Sequence, residues 1–183
     1  MTYLNAEDYK QFYSSKQAIK ENKEISKLLK NHKGRIIDIG CGTGLLSTLV
    51  DNEYIGVDLR PDYIEFAQSN ERGKYIHQDA LKFLKQFKPK QDDLFVSIFA
   101  IDYMHLQTID LMKQQNHFIV SHNKPFLSGS GSFYADNEPF FRTKHPFHKQ
   151  FVEKLHPNAR LLNQEYYFIT TNLNKIKQNN GKN

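Results

Sequence analysis

The chain has 183 residues, a formal net charge of +5 and a single cysteine, Cys41. This length is typical of one domain with a core large enough to fold unaided, and one cysteine excludes a disulfide within the chain. The longest apolar runs, such as Leu94–Ile101, are far shorter than the ~20 residues of a membrane helix, and the first ten residues lack a secretory signal. We therefore expect a soluble, cytoplasmic protein that does not associate with membranes.

The predicted elements begin with helix and then alternate. Residues Asn5–Asn31 lack proline and glycine and predict one or two amphipathic helices, broken near Ser14–Ser15 and ended by Lys33–Gly34. Strands and helices with short links follow, which predicts a parallel sheet covered on both faces. The strands are Arg35–Gly40, Glu53–Asp58, Lys74–Asp79, Asp93–Ile101 and His117–His122, and the helices are Gly44–Val50, Pro61–Ser69, Ala80–Phe87 and Gln107–Gln115.

The alternation stops beyond His122. Leu127–Tyr134 is a glycine–serine loop, and Phe147–Leu155 is typical of a helix. Ala159–Leu173 predicts two strands joined by a tight connection, and the chain from Lys175 is a polar tail. We expect the aromatic and basic segment around the loop, Leu127–Phe147, to cover a substrate site, to stack on and neutralise a nucleic acid, or to fill the core.

A glycine-rich turn joins the first predicted strand to its helix. Gly40, Gly42 and Gly44 give G-x-G-x-G, so ligand atoms can approach bare main chain beside the helix N-terminus. The dinucleotide fingerprint fails because Leu45 replaces its third glycine, and no Walker lysine follows. S-adenosylmethionine fits better, since Asp38 at the strand end suits an ammonium and repels a pyrophosphate.

Two further acids follow the next strands. Asp58 ends the second strand, twenty positions after Asp38, where a carboxylate can accept from both ribose hydroxyls. Asp79 ends the third strand, followed by Ala80, which places a carboxylate near the adenine amino group. Because ligands bind at the carboxyl ends of parallel strands, we expect the three acids to face a common hollow.

The segments "DIGCGTG", "YIGVD" and "HQDA" resemble, in order and spacing, the first three motifs of class I S-adenosylmethionine-dependent methyltransferases. The resemblance covers Arg35 to about Ile101. It implies an α/β, Rossmann-like three-layer sandwich with a mostly parallel seven-stranded sheet and an antiparallel last strand. It also implies an N-terminal helical segment (1–33) that caps the cofactor site, a methyltransferase domain (34–174) and a polar tail (175–183).

The resemblance assigns individual residues to the cofactor, S-adenosyl-L-methionine, and the acid argument adds Asp38. The assignments are Asp38, Gly40, Cys41, Gly42 and Gly44 to the methionine part, Asp58 and Leu59 to the ribose, Asp79 and Ala80 to the adenine, and Phe99 to the space beneath the sulfonium.

The methyl acceptor is expected just beyond the fourth strand. Methyl transfer is an in-line displacement on a sulfonium, so the protein must align the reactants and sometimes remove a proton. Asp102, Tyr103 and His105 are candidates to bind the acceptor or act as base, or His105 simply begins a helix. The Asn/Asp-Pro-Pro-Tyr/Phe motif of relatives that methylate base amines is missing here, and Asn123–Phe126 only echoes it.

The acceptor itself stays open. A small molecule is predicted because the sequence has no nucleic-acid module and no concentrated basic stripe, and ribosomal or transfer RNA is the alternative that the basic charge encourages. A non-catalytic cofactor-binding or partner protein is a further alternative. No metal is predicted, since His145 and His148 flank a proline without a nearby cysteine. Tyr9 and Tyr13 either close over the cofactor or are ordinary helix-face aromatics.

Overall fold

The computed structural model describes residues 4–14, 16–101, 104–122, 160–163 and 167–171. Five of its strands form the parallel part of one sheet, in the order β3-β2-β1-β4-β5. They are β1 (Ile36–Ile39), β2 (Tyr54–Asp58), β3 (Lys74–His77), β4 (Leu94–Ile98) and β5 (His117–His122). The predicted α/β fold with a parallel sheet is confirmed.

Two further strands extend the sheet beyond β5. β6 (Arg160–Asn163) pairs antiparallel with β7 (Tyr167–Thr171), and β7 pairs antiparallel with β5, in the order β5-β7-β6. The predicted loop, the helix over Phe147–Leu155 and the tail from Lys175 lie outside the described residues.

Among the described residues, two α-helices precede the first strand and three more alternate with the parallel strands. Asp79 begins one of them as its N-cap residue, because its Oδ1 accepts from the Lys82 N–H at 2.9 Å, and Pro61 occupies the first turn of another. The helices are α1 (Ala6–Tyr13), α2 (Lys16–Leu29), α3 (Pro61–Asn70), α4 (Ala80–Gln86) and α5 (Leu106–Lys113).

Two predicted boundaries were wrong. The expected helix Gly44–Val50 is only a short 3₁₀ helix, Leu45–Thr48, because the glycine loop enters it in a left-handed conformation. The first helical region ends at Leu29, before the expected Lys33–Gly34. The predicted break near Ser14–Ser15 is confirmed, since α1 ends at Tyr13.

The sheet is buried on both faces. Ile25 and Leu29 of α2 pack on one face together with Ile64 of α3, while Phe83 of α4 and Ile109 of α5 pack on the other. Parallel strands need this double covering, which explains why they read as continuous apolar runs. Each fully buried side chain of this kind stabilises the fold by about 1.5–3 kcal/mol.

Within the described segments, no helix combines the length and the hydropathy that a membrane crossing requires.

Candidate cofactor and acceptor site

The glycine loop lies at the carboxyl end of β1, as predicted. The main-chain N–H groups of Gly40 and Cys41 both donate to the Val57 carbonyl of β2, at 2.8 and 3.1 Å. Gly42 has a φ of +55° and Gly44 a φ of +87°, both in the left-handed region that favours glycine. The loop therefore turns sharply and presents bare main chain at the edge of the sheet.

Asp58 ties the second strand to this loop. Its Oδ2 accepts from the Gly42 N–H at 2.9 Å, and its Oδ1 accepts from the Arg60 N–H at 2.9 Å. Burial raises the pKa of the Asp58 carboxyl, and these main-chain donors offset part of that rise because they favour the charged form. The two motifs that the sequence predicted to cooperate are thus joined by direct hydrogen bonds.

Asp38 is buried on the face of the sheet that α2 and α3 cover. It is 4% exposed, and its Oδ2 accepts from the Tyr54 hydroxyl at 2.5 Å. Desolvation raises the pKa of Asp38 to about 7, the Tyr54 hydrogen bond opposes that rise, and the charge of Asp58 adds to it. Asp38 and Asp58 therefore lie close enough for their charges to interact.

Tyr75 of β3 supports the loop from below. Its hydroxyl lies 3.0 Å from Ser47 Oγ and 3.0 Å from the Arg72 carbonyl. A Cβ at Gly44 would lie 2.5 Å from this hydroxyl, and a Cβ at Gly56 would lie 2.8 Å from Cys41 Sγ. Close packing thus requires glycine at both positions, and the Tyr75 side chain packs against the loop.

The third motif is placed differently from the prediction. β3 ends at His77, so Asp79 lies beyond the strand and its exposed carboxylate caps α4. The loop after β3 still adjoins the loop after β2, because the Gln78 N–H donates to the Asp58 carbonyl at 3.0 Å. Leu59 is 65% exposed, and Ala80, the first residue of α4, packs against the core.

Phe99 lies beyond β4 rather than within it, since that strand ends at Ile98. Its φ of +57° is unusual for an aromatic residue. Its N–H donates to the Val120 carbonyl at 2.9 Å, which anchors this conformation. The chain that follows reaches the glycine loop, where a Cβ at Gly40 would collide with Ala100.

Of the three acceptor candidates, the structure describes only His105. It is exposed and is the N-cap residue of α5, without a side-chain capping hydrogen bond. Asp102 and Tyr103 lie outside the described residues, as do His145, His148 and the segment Leu127–Phe147.

Helix α1 lies against the glycine loop. A Cβ at Gly42 would be 2.9 Å from Tyr9 Cε1, and the Tyr9 ring packs on the Tyr63 ring with centroids 4.6 Å apart. The Tyr63 hydroxyl donates to the Leu4 carbonyl at 3.0 Å, and Lys10 Nζ lies 2.7 Å from Glu71 Oε1. The N-terminal segment is therefore held beside the predicted cofactor site by several contacts.

Sequence reasoning missed Tyr54, Tyr75, Arg60, Lys10 and Glu71. Tyr54 and Tyr75 begin or occupy strands and look like core aromatics in the sequence. The signal in the sequence is the residue type itself, since the hydroxyl of a buried tyrosine usually has a hydrogen-bond partner. The Lys10–Glu71 pair joins residues far apart in the chain, which no local pattern indicates.

A family model described as "Methyltransferase domain" matches residues 30–181. The chain belongs to this methyltransferase family. The match confirms the predicted class I S-adenosylmethionine-dependent methyltransferase superfamily.

Solved structures agree on the fold. The methyltransferase resembles a SAM-dependent methyltransferase from Archaeoglobus fulgidus, with 22% identity over 83% of this chain and 74% of that one, and a TM-score of 0.55. It also resembles a TehB-like SAM-dependent methyltransferase from Corynebacterium glutamicum, with 14% identity over 91% and 97% of the two chains, and a TM-score of 0.54.

A further similar structure is the PH0226 protein from Pyrococcus horikoshii, with 21% identity over 59% of this chain and a TM-score of 0.47. The methyltransferase described here spans 60% of that protein's length. A search among curated proteins finds no match.

Proposed function

We propose that this methyltransferase binds S-adenosylmethionine at the carboxyl edge of β1 to β3 and transfers its methyl group to a small-molecule acceptor. The observation that carries the proposal is the Asp58 carboxylate, whose two oxygens accept from Gly42 N–H and Arg60 N–H. This bond places an acid directly beside bare glycine main chain. Such a pair suits a nucleoside with a cationic amino-acid group.

In this proposal, different residues bind the methionine part and the ribose of the cofactor. Gly40, Cys41, Gly42 and Gly44 line the methionine part, with Asp38 beneath them to balance the ammonium charge directly or through water. Burial keeps the Cys41 thiol protonated by raising its pKa well above the usual value, so this residue lines the site and does not attack. Asp58 and Leu59 hold the ribose.

In this proposal, the adenine binds beside the loop that follows β3. Ala80 gives the ring an apolar contact and Asp79 lies beside the adenine amino group, although its Oδ1 also caps α4. Phe99 lies at the end of β4, next to the loop that approaches Gly40. Its left-handed backbone supports a positioning role, because strained conformations cluster at functional sites.

The bound cofactor supplies a methyl group already activated on a sulfonium. The chain's own residues must orient the acceptor, exclude water and, for a protonated nucleophile, remove a proton. Asp102, Tyr103 and His105 are proposed for these tasks. His105 is exposed and its ring makes no capping hydrogen bond, which leaves it available as a base.

The cations beside the site favour a small acceptor. Arg60 Nη2 lies 2.6 Å from Asp62 Oδ2, and Lys10 Nζ pairs with Glu71 at 2.7 Å. Both charges are thus neutralised locally, whereas an RNA acceptor would need cations for its phosphates at this edge. RNA is the second candidate, and the exposed lysines Lys20, Lys23 and Lys27 along one face of α2 are the observation that favours it.

We also propose the domain division 1–33, 34–174 and 175–183, with α1 as the cap of the cofactor site. The Tyr9 contact at Gly42 supports the cap. In the same proposal, β6 and β7 complete the seven-stranded sheet of the family, with the last strand antiparallel, and the protein acts in the cytoplasm.

Calorimetry with S-adenosylmethionine and S-adenosylhomocysteine tests the cofactor site. Wild type should bind both, and Asp58→Ala should weaken binding by about a hundredfold, the effect of about 3 kcal/mol for a lost buried hydrogen-bonded charge. Asp51→Ala is the matched control, because Asp51 is an exposed acid outside the site. Equal affinities for the two variants would contradict the assignment.

The acceptor class is tested separately. Cofactor with a labelled methyl group, incubated with enzyme and a cell extract, should leave its label in the small-molecule fraction. Label in RNA would support the second candidate. Cofactor binding without any transfer would favour the non-catalytic alternative.

A further inference from the structure

The outer face of α2 carries Lys20, Lys23 and Lys27, and Lys30 follows directly after the helix ends at Leu29. We call these four residues the lysine row. All four are exposed, while Ile25 on the opposite side of the helix is fully buried. At 3.6 residues per turn, the three lysines of the helix fall within about 60° of its circumference. The sequence was expected to lack a concentrated basic stripe, and that expectation was wrong because the four are never consecutive.

One carboxylate lies beside the lysine row: the exposed Glu24, four residues after Lys20 and three before Lys27. None of its ammonium groups pairs with a carboxylate whose side chain the structure describes. Like charges three and four residues apart on a helix repel one another, so this arrangement opposes helix formation. A partner that is itself a row of negative charges would reverse that effect.

The row leads to a cavity at the amino-terminal edge of the sheet. Asn52, in the cavity wall, donates from Nδ2 to the carbonyls of His32 and Gly34 at 3.1 and 2.8 Å, just beyond the end of α2. The cavity has a volume of about 350 Å³. Its walls are formed by Arg35, Asn52, Glu53, Tyr54, Ile55, Arg72, Gly73 and Lys74.

The charges of this cavity are mainly basic. Arg35 is bonded twice to Asp93, at 2.8 and 2.7 Å, and also lies 3.8 Å from Glu53. Arg72 donates from Nε to the Ser47 carbonyl at 2.7 Å, which fixes its guanidinium without neutralising it. Lys74 is exposed at the start of β3. Arg72 and Lys74 thus extend the positive charge of the lysine row.

From this arrangement we infer that the lysine row and the adjoining cavity bind a single-stranded nucleic acid. Neighbouring lysines are about 5 to 6 Å apart and the row is about 15 Å long, which suits successive phosphates of one extended strand. Lysine contacts phosphate as a point charge and does not read sequence. The cavity at the end of the row adds the Arg72 guanidinium and the Lys74 ammonium as positive charges for a further phosphate of the same strand.

A membrane surface fits less well. Among the described residues, the one large apolar side chain that is exposed is Leu59, which lies after β2 and not beside the lysine row. An interfacial helix needs apolar side chains next to its cations, and the apolar face of α2 is already buried in the core. The inference concerns binding alone and does not depend on which acceptor is methylated.

Fluorescence anisotropy with a labelled short oligouridylate tests the inference, and an oligothymidylate arm distinguishes RNA from DNA. Four phosphate contacts predict a slope of about −3 for log K against log salt between about 50 and about 200 mM. The triple variant Lys20→Gln, Lys23→Gln, Lys27→Gln should lose about 2 of that slope. Glutamine keeps the helix propensity of lysine, so α2 should remain folded.

The matched control is Lys82→Gln, Lys85→Gln, Lys88→Gln, which removes the same charge from exposed lysines in and after α4. It should keep most of the slope. Equal weakening of both triple variants would show attraction to net charge alone and would overturn the inference. So would binding to anionic phosphatidylserine vesicles but not to either oligonucleotide. If the triple variant of the lysine row unfolds, the single variants Lys23→Gln and Lys85→Gln make the same comparison one charge at a time.

Discussion

The proposed cofactor half of the site and the described part of its proposed acceptor half differ in the hydrogen bonds that hold them. Around the glycine loop, hydrogen bonds join neighbouring elements: Gly40 N–H to Val57, Gly42 N–H to Asp58, and Gln78 N–H to Asp58. At the acceptor side, the described part is an anchored turn at Phe99 followed by His105, an N-cap residue whose ring makes no capping bond.

This contrast follows from what each half has to bind. The cofactor is one fixed molecule, so main chain and carboxylates can be fixed around it in advance. The acceptor half must orient one nucleophile and remove a proton only if that nucleophile carries one.

The largest effect is expected at the most tightly built point. Gly42→Val should abolish measurable cofactor binding, by about a thousandfold, because valine is strained at a φ of +55° and its Cβ would meet Tyr9 at 2.9 Å. Calorimetry measures the loss. The smaller change Gly42→Ala should also weaken binding, and adding Tyr9→Ala to it should recover part of the loss because it removes the ring that the new Cβ meets. No recovery would show that backbone strain alone causes the loss.

A substitution in the proposed acceptor half should change the rate of methyl transfer and not the affinity for the cofactor. His105→Ala should lower the rate of methyl transfer by about a hundredfold if the ring is the base, while cofactor affinity stays unchanged. Single-turnover transfer and calorimetry on the same preparation separate the two quantities. His32→Ala, at the other edge of the sheet, is the control. A parallel loss of cofactor binding would mark His105 as structural.

Protonation of Asp38 should make the stability of the proposed cofactor half depend on pH. Its pKa of about 7 in the folded protein exceeds the value of about 3.9 expected in the unfolded chain. Between these values the folded state holds a proton that the unfolded state has released, so stability falls as pH rises from about 4 to about 7, by at most about 1.4 kcal/mol per pH unit. Asp38→Asn should flatten this slope in urea unfolding.

The same residue should link cofactor binding to proton release. An ionised Asp38 favours the cofactor's ammonium, so affinity should rise with pH through about 7 and binding below that pH should release a proton. Asp38→Asn should weaken binding by about tenfold and remove the release. Calorimetry in buffers of different ionisation enthalpy detects it, and an unchanged release would assign the proton elsewhere.

The smallest effect concerns the cap. Lys10→Ala removes the 2.7 Å pair with Glu71, whose side chain is 9% exposed against 42% for Lys10. Partly exposed pairs contribute about 1 kcal/mol or less, so cofactor dissociation should become roughly threefold faster in stopped flow. Lys10→Glu with Glu71→Lys should restore the wild-type rate, whereas equal rates in all variants would show that α1 does not cap the site.

The sequence predicted the parts of the fold that depend on local pattern. Strands buried on both faces read as apolar runs, and the spacing of Asp38, Gly42 and Asp58 placed three site residues at one edge of the sheet. Hydrogen bonding across distant elements was not predictable in this way. Tyr54 on Asp38 and Tyr75 on Ser47 are contacts between neighbouring strands or a strand and a loop.

Two errors have clear physical causes. Asp79 was assigned to the end of a strand, but its short side chain caps α4 instead, because a helix that starts at Ala80 needs an acceptor for its first N–H groups. The lysine row escaped notice because a charge count along the chain ignores helical periodicity. On a helix, residues three and four apart are neighbours.

The bond between Asp58 and the Gly42 N–H has a consequence for turnover. The pocket wall it fixes is assembled before any ligand arrives, so little ordering remains to be done on entry. Under the proposed assignment this wall grips the ribose, which the demethylated product shares with the substrate. Discrimination between the two must then arise at the sulfur alone, and strong inhibition by S-adenosylhomocysteine is the expected kinetic signature.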